Sequence, residues 1–279
     1  MSLFKVFHPP RSRAASVLLA FYALAASAGD FDFDQAGAAA VSPVPGTEVT
    51  AANVDQLAEI VDVDLAALIK DGWMTITVGE SISFDPHPAY VDATTQHAGQ
   101  VQLGANAGEI LNYVAGRPFP GELSVEDPRA GEKLAWNMRY AYAGDGGEIP
   151  EMYWHYRDMR SQKIERELEF EAAAMRFMFR HVIEPIPEIK ENSYRVYNAI
   201  TLTALEPGDV AQTQLLIFYN SVDKDEEQGW MYVPLLRRVR RVATTMRTDS
   251  FLGSDIMIED FLGYSGRLMD MEWTYGGDR

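Results

Sequence analysis

The run from Ser193 to Leu236 constrains the fold more than any other part of the chain. "SYRVYNAITLTALEPGDVAQTQLLIFYN" holds two strand-like stretches joined by Glu206-Pro207-Gly208-Asp209, residues with turn chemistry. "VDKDEEQG" makes the next polar turn, ahead of the aromatic and apolar "WMYVPLL". Both connections are short and show no intervening helix, which favours an antiparallel meander over βαβ units. The sequence therefore predicts an α+β chain whose antiparallel sheet occupies residues 146–279.

Upstream of that run, "KIERELEFEAAAMRF" fits two periods. Glu165, Glu167, Glu169 and Glu171 alternate with Ile164, Arg166, Leu168 and Phe170, whereas Ile164, Leu168, Met175, Phe179 and Val182 fit a helix face. Four glutamates of one parity suit a wet sheet face, and the neighbouring segments are strands, so a strand is expected.

Residues 49–145 read as a helical and extended region. Val54, Leu57, Val61, Leu65 and Leu68 recur at threes and fours, with Thr50 as N-cap and Asp71-Gly72 as the stop. "WMTITVGE" alternates as a strand. Asp127-Pro128 opens a second helix with Leu134, Met138 and Tyr142 on one face, and "AGDGGEIP" at 143–150 breaks it.

The first residues read as an export signal over 1–28. Lys5, Arg11 and Arg13 precede the apolar "AASVLLAFYALAA", and Ala26-Ser27-Ala28 offers a small-x-small cleavage site before Gly29. This places the mature chain in the periplasm, with 29–48 as a flexible leader. The sequence has no cysteine, which excludes disulfides, thiolate metal sites and a lipid-modified N-terminal cysteine.

With 41 acidic against 24 basic residues, the formal charge is −17, which disfavours nucleic acid and anionic membrane surfaces at long range. Against that background Arg237, Arg238, Arg240 and Arg241 crowd into five residues, behind Trp230 and Tyr232. In a continuous strand, Arg238 and Arg240 would point one way and Arg237 and Arg241 the other. They either pair with a neighbouring glutamate row such as 165–171 or hold an anionic head group at an apolar mouth. The histidines show no ligand spacing, and "DKDEEQG" lacks the glycine and distal glutamate of a calcium loop, so it reads as a polar hairpin tip. No nucleophile elbow, phosphate loop or dinucleotide fingerprint is present, so neither a catalytic group, a metal nor a cofactor is expected.

The segment "WMYVPLLRRVRRVATTMRTDSFLGSDIMIEDFLGY" resembles exported LolA/LolB-like proteins called outer membrane lipoprotein-sorting proteins. The matching residues are Trp230, Tyr232, Pro234, Leu236, Arg238, Val239, Arg240, Arg241, Ser250, Phe251, Gly253, Ser254, Asp255, Glu259 and Asp260. Asn112 to Pro120 ("NYVAGRPFP") and Asp127 to Asn137 ("DPRAGEKLAWN") are similar to a Gram-negative domain-of-unknown-function branch, often found beside RND-type exporters. The resemblance runs from about residue 50 to the end. It implies a curved, unclosed half-barrel with covering helices, and a lipid or other hydrophobic small molecule as cargo. An RND-type exporter or outer-membrane protein would be the partner. It also implies that Pro234 and the residues from Ser250 to Asp260 are structural, and that "MDMEWTYGGDR" is a strand cut off at its turn. The leading expectation is a periplasmic carrier without covalent catalysis. The alternatives are an accessory module of an envelope transporter and, third, an enzyme.

Overall fold

A computed structural model describes residues 44–277, apart from 59, 159, 162, 243–247 and 261–262. The expected export signal and most of the leader lie outside the described residues. The chain divides into two compact units, one built on the residues up to 85 with 157–165, the other on 86–156 with 166–277.

In the first unit the expected long helix is broken. Val54–Leu57 forms a 3-10 turn, and α1 runs only over Val63–Lys70. Asp62 restarts the chain: its extended backbone and its Oδ1, which accepts from the Asp64 N–H at 2.9 Å, make it the N-cap. Thr50 instead donates its N–H to Asn53 Oδ1 at 2.8 Å. β1 (Glu48–Val49) pairs with β2 (Ile76–Thr77). Met74, Ile76 and Val78 all pack toward the core of Val49, Val54, Leu57 and Ile69, as their alternation requires.

The second unit holds α2 (Pro88–His97), which the sequence did not suggest, the short pair β3 (Gln102–Leu103) and β4 (Ile110–Leu111), and α3 (Ala130–Arg139). Asp127-Pro128 forms a turn just before α3, with Asp127 Oδ1 accepting from the Arg129 N–H at 2.9 Å. The face expected to be buried is not the one used. Leu134 is exposed, whereas Ala135, Trp136 and Tyr140 are buried with Leu268.

The sheet is a six-stranded antiparallel meander of β5 (Gly146–Arg157), β6 (Ile164–Arg176), β7 (Val196–Glu206), β8 (Gln214–Asn220), β9 (Gln228–Val233) and β10 (Arg238–Val242). It is unclosed, with β5 and β10 as its edges, and with the three helices it makes the chain α+β. Bulges at Glu169/Phe170 and Val196/Asn198 supply local bends.

On β6, Leu168 and Phe170 are buried in the core while the glutamates take the other face. Beyond Val242 the described residues form 3-10 turns and one isolated bridge, Ser250 to Met257, and residues 271–277 form no strand.

The "WMYVPLLRRVRRV" run is two strands, not one. Proline cannot donate to a ladder, and Pro234 opens a 3-10 turn to Leu236. Arg237 then takes left-handed backbone (φ 48°), and the chain returns as β10. The expected Arg–Glu pairing across neighbouring strands is therefore ruled out. β10 pairs with β9, and the glutamate row of β6 is four strands away.

Candidate functional site

Register sorts the residues of the sheet onto two faces. Ala172, Leu202, Leu215, Met231 and Arg240 lie in one row across β6 to β10. Ala174, Ile200, Ile217, Gly229 and Val242 form the next row on the same side. This inner face carries the main core, closed by Phe251, Leu252 and Ile258 from the segment after β10. The Phe251 ring stacks on Trp154 at 5.8 Å, and Tyr156 donates its hydroxyl to the Leu252 carbonyl at 3.0 Å. At the end of the sheet near Tyr197, α3 takes over the cover through Tyr140.

A cleft remains where the cover meets β8 to β10. Leu215, Ile217, Gly229 and Val242 of the sheet and Ile258, Ser265 and Gly266 of the cover line it, together with Tyr219 and the carboxylates of Glu227 and Glu259. Its volume of about 40 Å³ admits a few waters, not an acyl chain. A larger apolar guest would have to displace the 250–266 segment. That segment forms 3-10 turns rather than a strand or a long helix, and it is tied down by Phe251 in the core and by hydrogen bonds from Tyr156 to Leu252 and from Arg139 to Gly266.

The four arginines separate by position. Arg238 and Arg240 lie on the inner side with Met231, on the edge strand of the sheet. Arg241 lies on the outer face beside Trp230, with Val239 beside Tyr232, and Arg237 sits in the turn. All four are exposed, and no carboxylate among the described residues forms an ion pair with them. Trp230 meets Phe218 edge to face at 5.1 Å, so it is half-buried.

The remaining motif residues build the frame. Ser254 Oγ donates to the Phe251 carbonyl at 2.7 Å, and Ser250 Oγ donates to the Ser254 carbonyl. Gly253 has left-handed backbone (φ 77°), and Asp260 Oδ2 accepts from the Met257 N–H at 3.0 Å. Asp255 is exposed and Glu259 buried. The two upstream motifs clamp each other. Asn137 Nδ2 donates to the Phe119 carbonyl at 2.8 Å, and Asn137 Oδ1 accepts from the Phe119 N–H at 2.9 Å. Gly131 is needed for close approach, since a Cβ there would lie 2.4 Å from the Trp273 carbonyl.

Two buried ionic groups were missed by sequence reasoning. Asp223 belongs to "DKDEEQG", whose composition suggests a polar hairpin tip. It is buried, pairs with Arg139, and accepts from the Leu268 and Met269 N–H groups at 3.0 and 2.8 Å. Asp145 Oδ2 accepts from the N–H groups of His181, Val182 and Ile183 at 2.9, 2.5 and 2.9 Å. Burial alone would raise the Asp145 pKa, but these donors hold it below the usual carboxylate value. His181 Nδ1 lies 3.1 Å from Asp145 Oδ1, between the rings of Tyr90 and Tyr142. Burial lowers the pKa of His181 and outweighs the pull of Asp145 in the other direction. Partners 36 and 84 residues apart leave no mark in local spacing. With its carboxylate committed to backbone donors, the Asp145–His181 pair is a latch for the 181–183 turn.

Burial also pushes the phenols of Tyr113, Tyr140, Tyr197 and Tyr219 up, so they remain neutral. Among the described residues no group of His, Asp and Glu is placed to hold a metal ion.

None of the curated proteins matches this chain. Among solved structures it is similar to a DUF1329 family protein from Desulfovibrio piger, at 19% identity and a TM-score of 0.40, over 54% of this chain and 55% of the other. It is also similar to a domain assigned as an outer membrane lipoprotein-sorting protein from Vibrio parahaemolyticus, at 17% identity and a TM-score of 0.38, over 53% of this chain and 52% of the other. The match thus spans about half the length of each. Over residues 48–279 the sequence matches the model of "Protein of unknown function (DUF1329)", and the chain belongs to that family.

Proposed function

We propose that this protein binds and transfers a lipid or similar hydrophobic molecule in the periplasm, without covalent chemistry. The observation that carries this reading is the apolar inner face of β7 to β10 beneath a cover lacking regular structure, with Arg238 and Arg240 exposed on the edge strand. An apolar tail would replace the contacts of Phe251 and Ile258 on the sheet, and the two guanidinium groups would hold an anionic head by forked hydrogen bonds. Burying a side chain such as Phe251 is worth about 1.5–3 kcal/mol, so a guest of comparable apolar area offsets the loss of the cover. The export signal expected over residues 1–28 and the net charge of −17 fit an envelope protein of this kind.

Organic extraction of the purified protein followed by mass spectrometry tests the reading. The expected result is an amphiphile with an anionic head, present in proportion to protein. Protein that is empty in every preparation and ignores fluorescent fatty acids would overturn it. The exposed β10 edge favours a second reading, an accessory module docked on an envelope transporter. Co-purification of a transporter from envelope membranes, lost on charge reversal at Arg238 and Arg240, would support that one instead.

A further inference from the structure

The β9–β10 hairpin presents an unusual surface on its tip and outer face. Leu235, at the tip, is 90% exposed, and Leu236 and Val239 are exposed as well. Cations flank these apolar groups: Arg237 is in the turn, and Arg241 lies on the outer face. Behind the tip come Val239 with Tyr232, then Arg241 with Trp230. Such an order, apolar groups first and then aromatic rings level with guanidinium groups, matches the profile of a bilayer surface from acyl chains to phosphates. We propose that this hairpin docks on an anionic lipid bilayer, with Leu235 and Leu236 inserted and Arg237 and Arg241 on lipid phosphates.

Charge complementarity selects the occupant. In a chain of net charge −17, these arginines form no ion pair with any described carboxylate. The acidic row of β6 on the same sheet face lies four strand spacings away, roughly 19 Å. The Debye length at physiological salt is about 8 Å, so the repulsion that governs approach from afar is screened at contact. Between β6 and β10 the outer face carries Thr201, Thr203, Gln214 and Gln228, and the acid of β7, Glu206, stands opposite Glu169 three strands from β10. A leucine pair at a hairpin tip is also too small to anchor a typical protein interface of roughly 800 Å² per partner, but it suffices for insertion beside cationic side chains.

The inference is independent of what the inner face carries, because Leu235, Leu236 and Arg237 belong to the turn and Arg241 to the outer face, whereas Arg238 and Arg240 are on the inner one. Co-sedimentation of the full chain with vesicles of phosphatidylglycerol and phosphatidylethanolamine, against pure phosphatidylcholine, tests it. Binding is expected to the anionic vesicles alone and to weaken as salt is raised. Arg237→Ser and Arg241→Ser should each weaken it about fivefold, and Leu235→Ser with Leu236→Ser at least about tenfold. Each of these side chains is exposed, so melting temperatures should stay at the parental value and fluorescent fatty-acid binding should be unchanged. Arg238→Ser with Arg240→Ser should weaken fatty-acid binding more than vesicle binding. Equal binding to phosphatidylcholine, no vesicle binding by a folded chain, or capture of an acidic protein through Leu235 and Arg241 without vesicle binding would each overturn it.

Discussion

Asp223 and Asp145 show how single carboxylates fix long-range connections in this chain. Asp223 joins the β8–β9 turn to Arg139 of α3 and to the backbone at 268–269. Removing one partner of a buried ion pair leaves the other charge uncompensated, at about 3–5 kcal/mol. Asp223→Ala should therefore lower unfolding stability by about that amount, read by urea denaturation, whereas Asp255→Ala on the surface should leave it nearly unchanged. His181 gives the chain a pH dependence whose direction follows from burial. Its folded pKa lies below the usual histidine value, so the unfolded chain binds the proton more tightly. Stability is fully present above about pH 6.5 and is lost as the pH falls through the folded value. Asp145, also lowered, acts in the same direction further down, below about pH 3.9. Melting temperatures measured across this range should fall in two stages, and His181→Gln should remove the upper one while leaving the lower.

Elements differ in how openly the sequence declares them. The glutamate parity of β6 does not decide its period alone, since an apolar helix face fits the same residues, but with strands on its flanks a wet sheet face is the better fit, and β6 is a strand. The turn at Glu206 to Asp209 marks the β7–β8 boundary through its local chemistry. Pro234 marks the β9–β10 turn only in hindsight, because the apolar and arginine residues on either side of it have the pattern of one continuous strand. The burial face of α3 was not legible. Trp136 and Tyr140 are buried by Leu268 and its neighbours, which return from more than a hundred residues downstream. For the same reason the cover of the inner face could not be assigned from sequence to Phe251, Leu252 and Ile258. That cover has no ladder of its own, so it should open at lower cost than the strands beneath it. Amide hydrogen exchange should be faster over 250–260 than over β7 and β8, and should become faster still on addition of a fatty acid, because the guest displaces that cover from the sheet. Equal protection of cover and strands would mean that the cleft does not open.

At the scale of the whole molecule, net charge hides a polarised surface. Acidic side chains dominate the β5–β6 side of the outer face, and arginines the β10 side, with half-buried Leu216, Phe218 and Trp230 between them. The register makes the inner and outer arginines separable by mutation, so cargo binding and membrane contact can be tested independently. The central claim is that the inner face beneath residues 250–266 accepts an apolar chain. Titrating the delipidated protein with a long-chain fluorescent fatty acid tests it most directly. Saturable binding, competed by unlabelled fatty acid but not by inorganic phosphate, and weakened by Arg238→Ser with Arg240→Ser, is the predicted result. A folded protein that shows no saturable binding, or binding indifferent to both arginines, would contradict it.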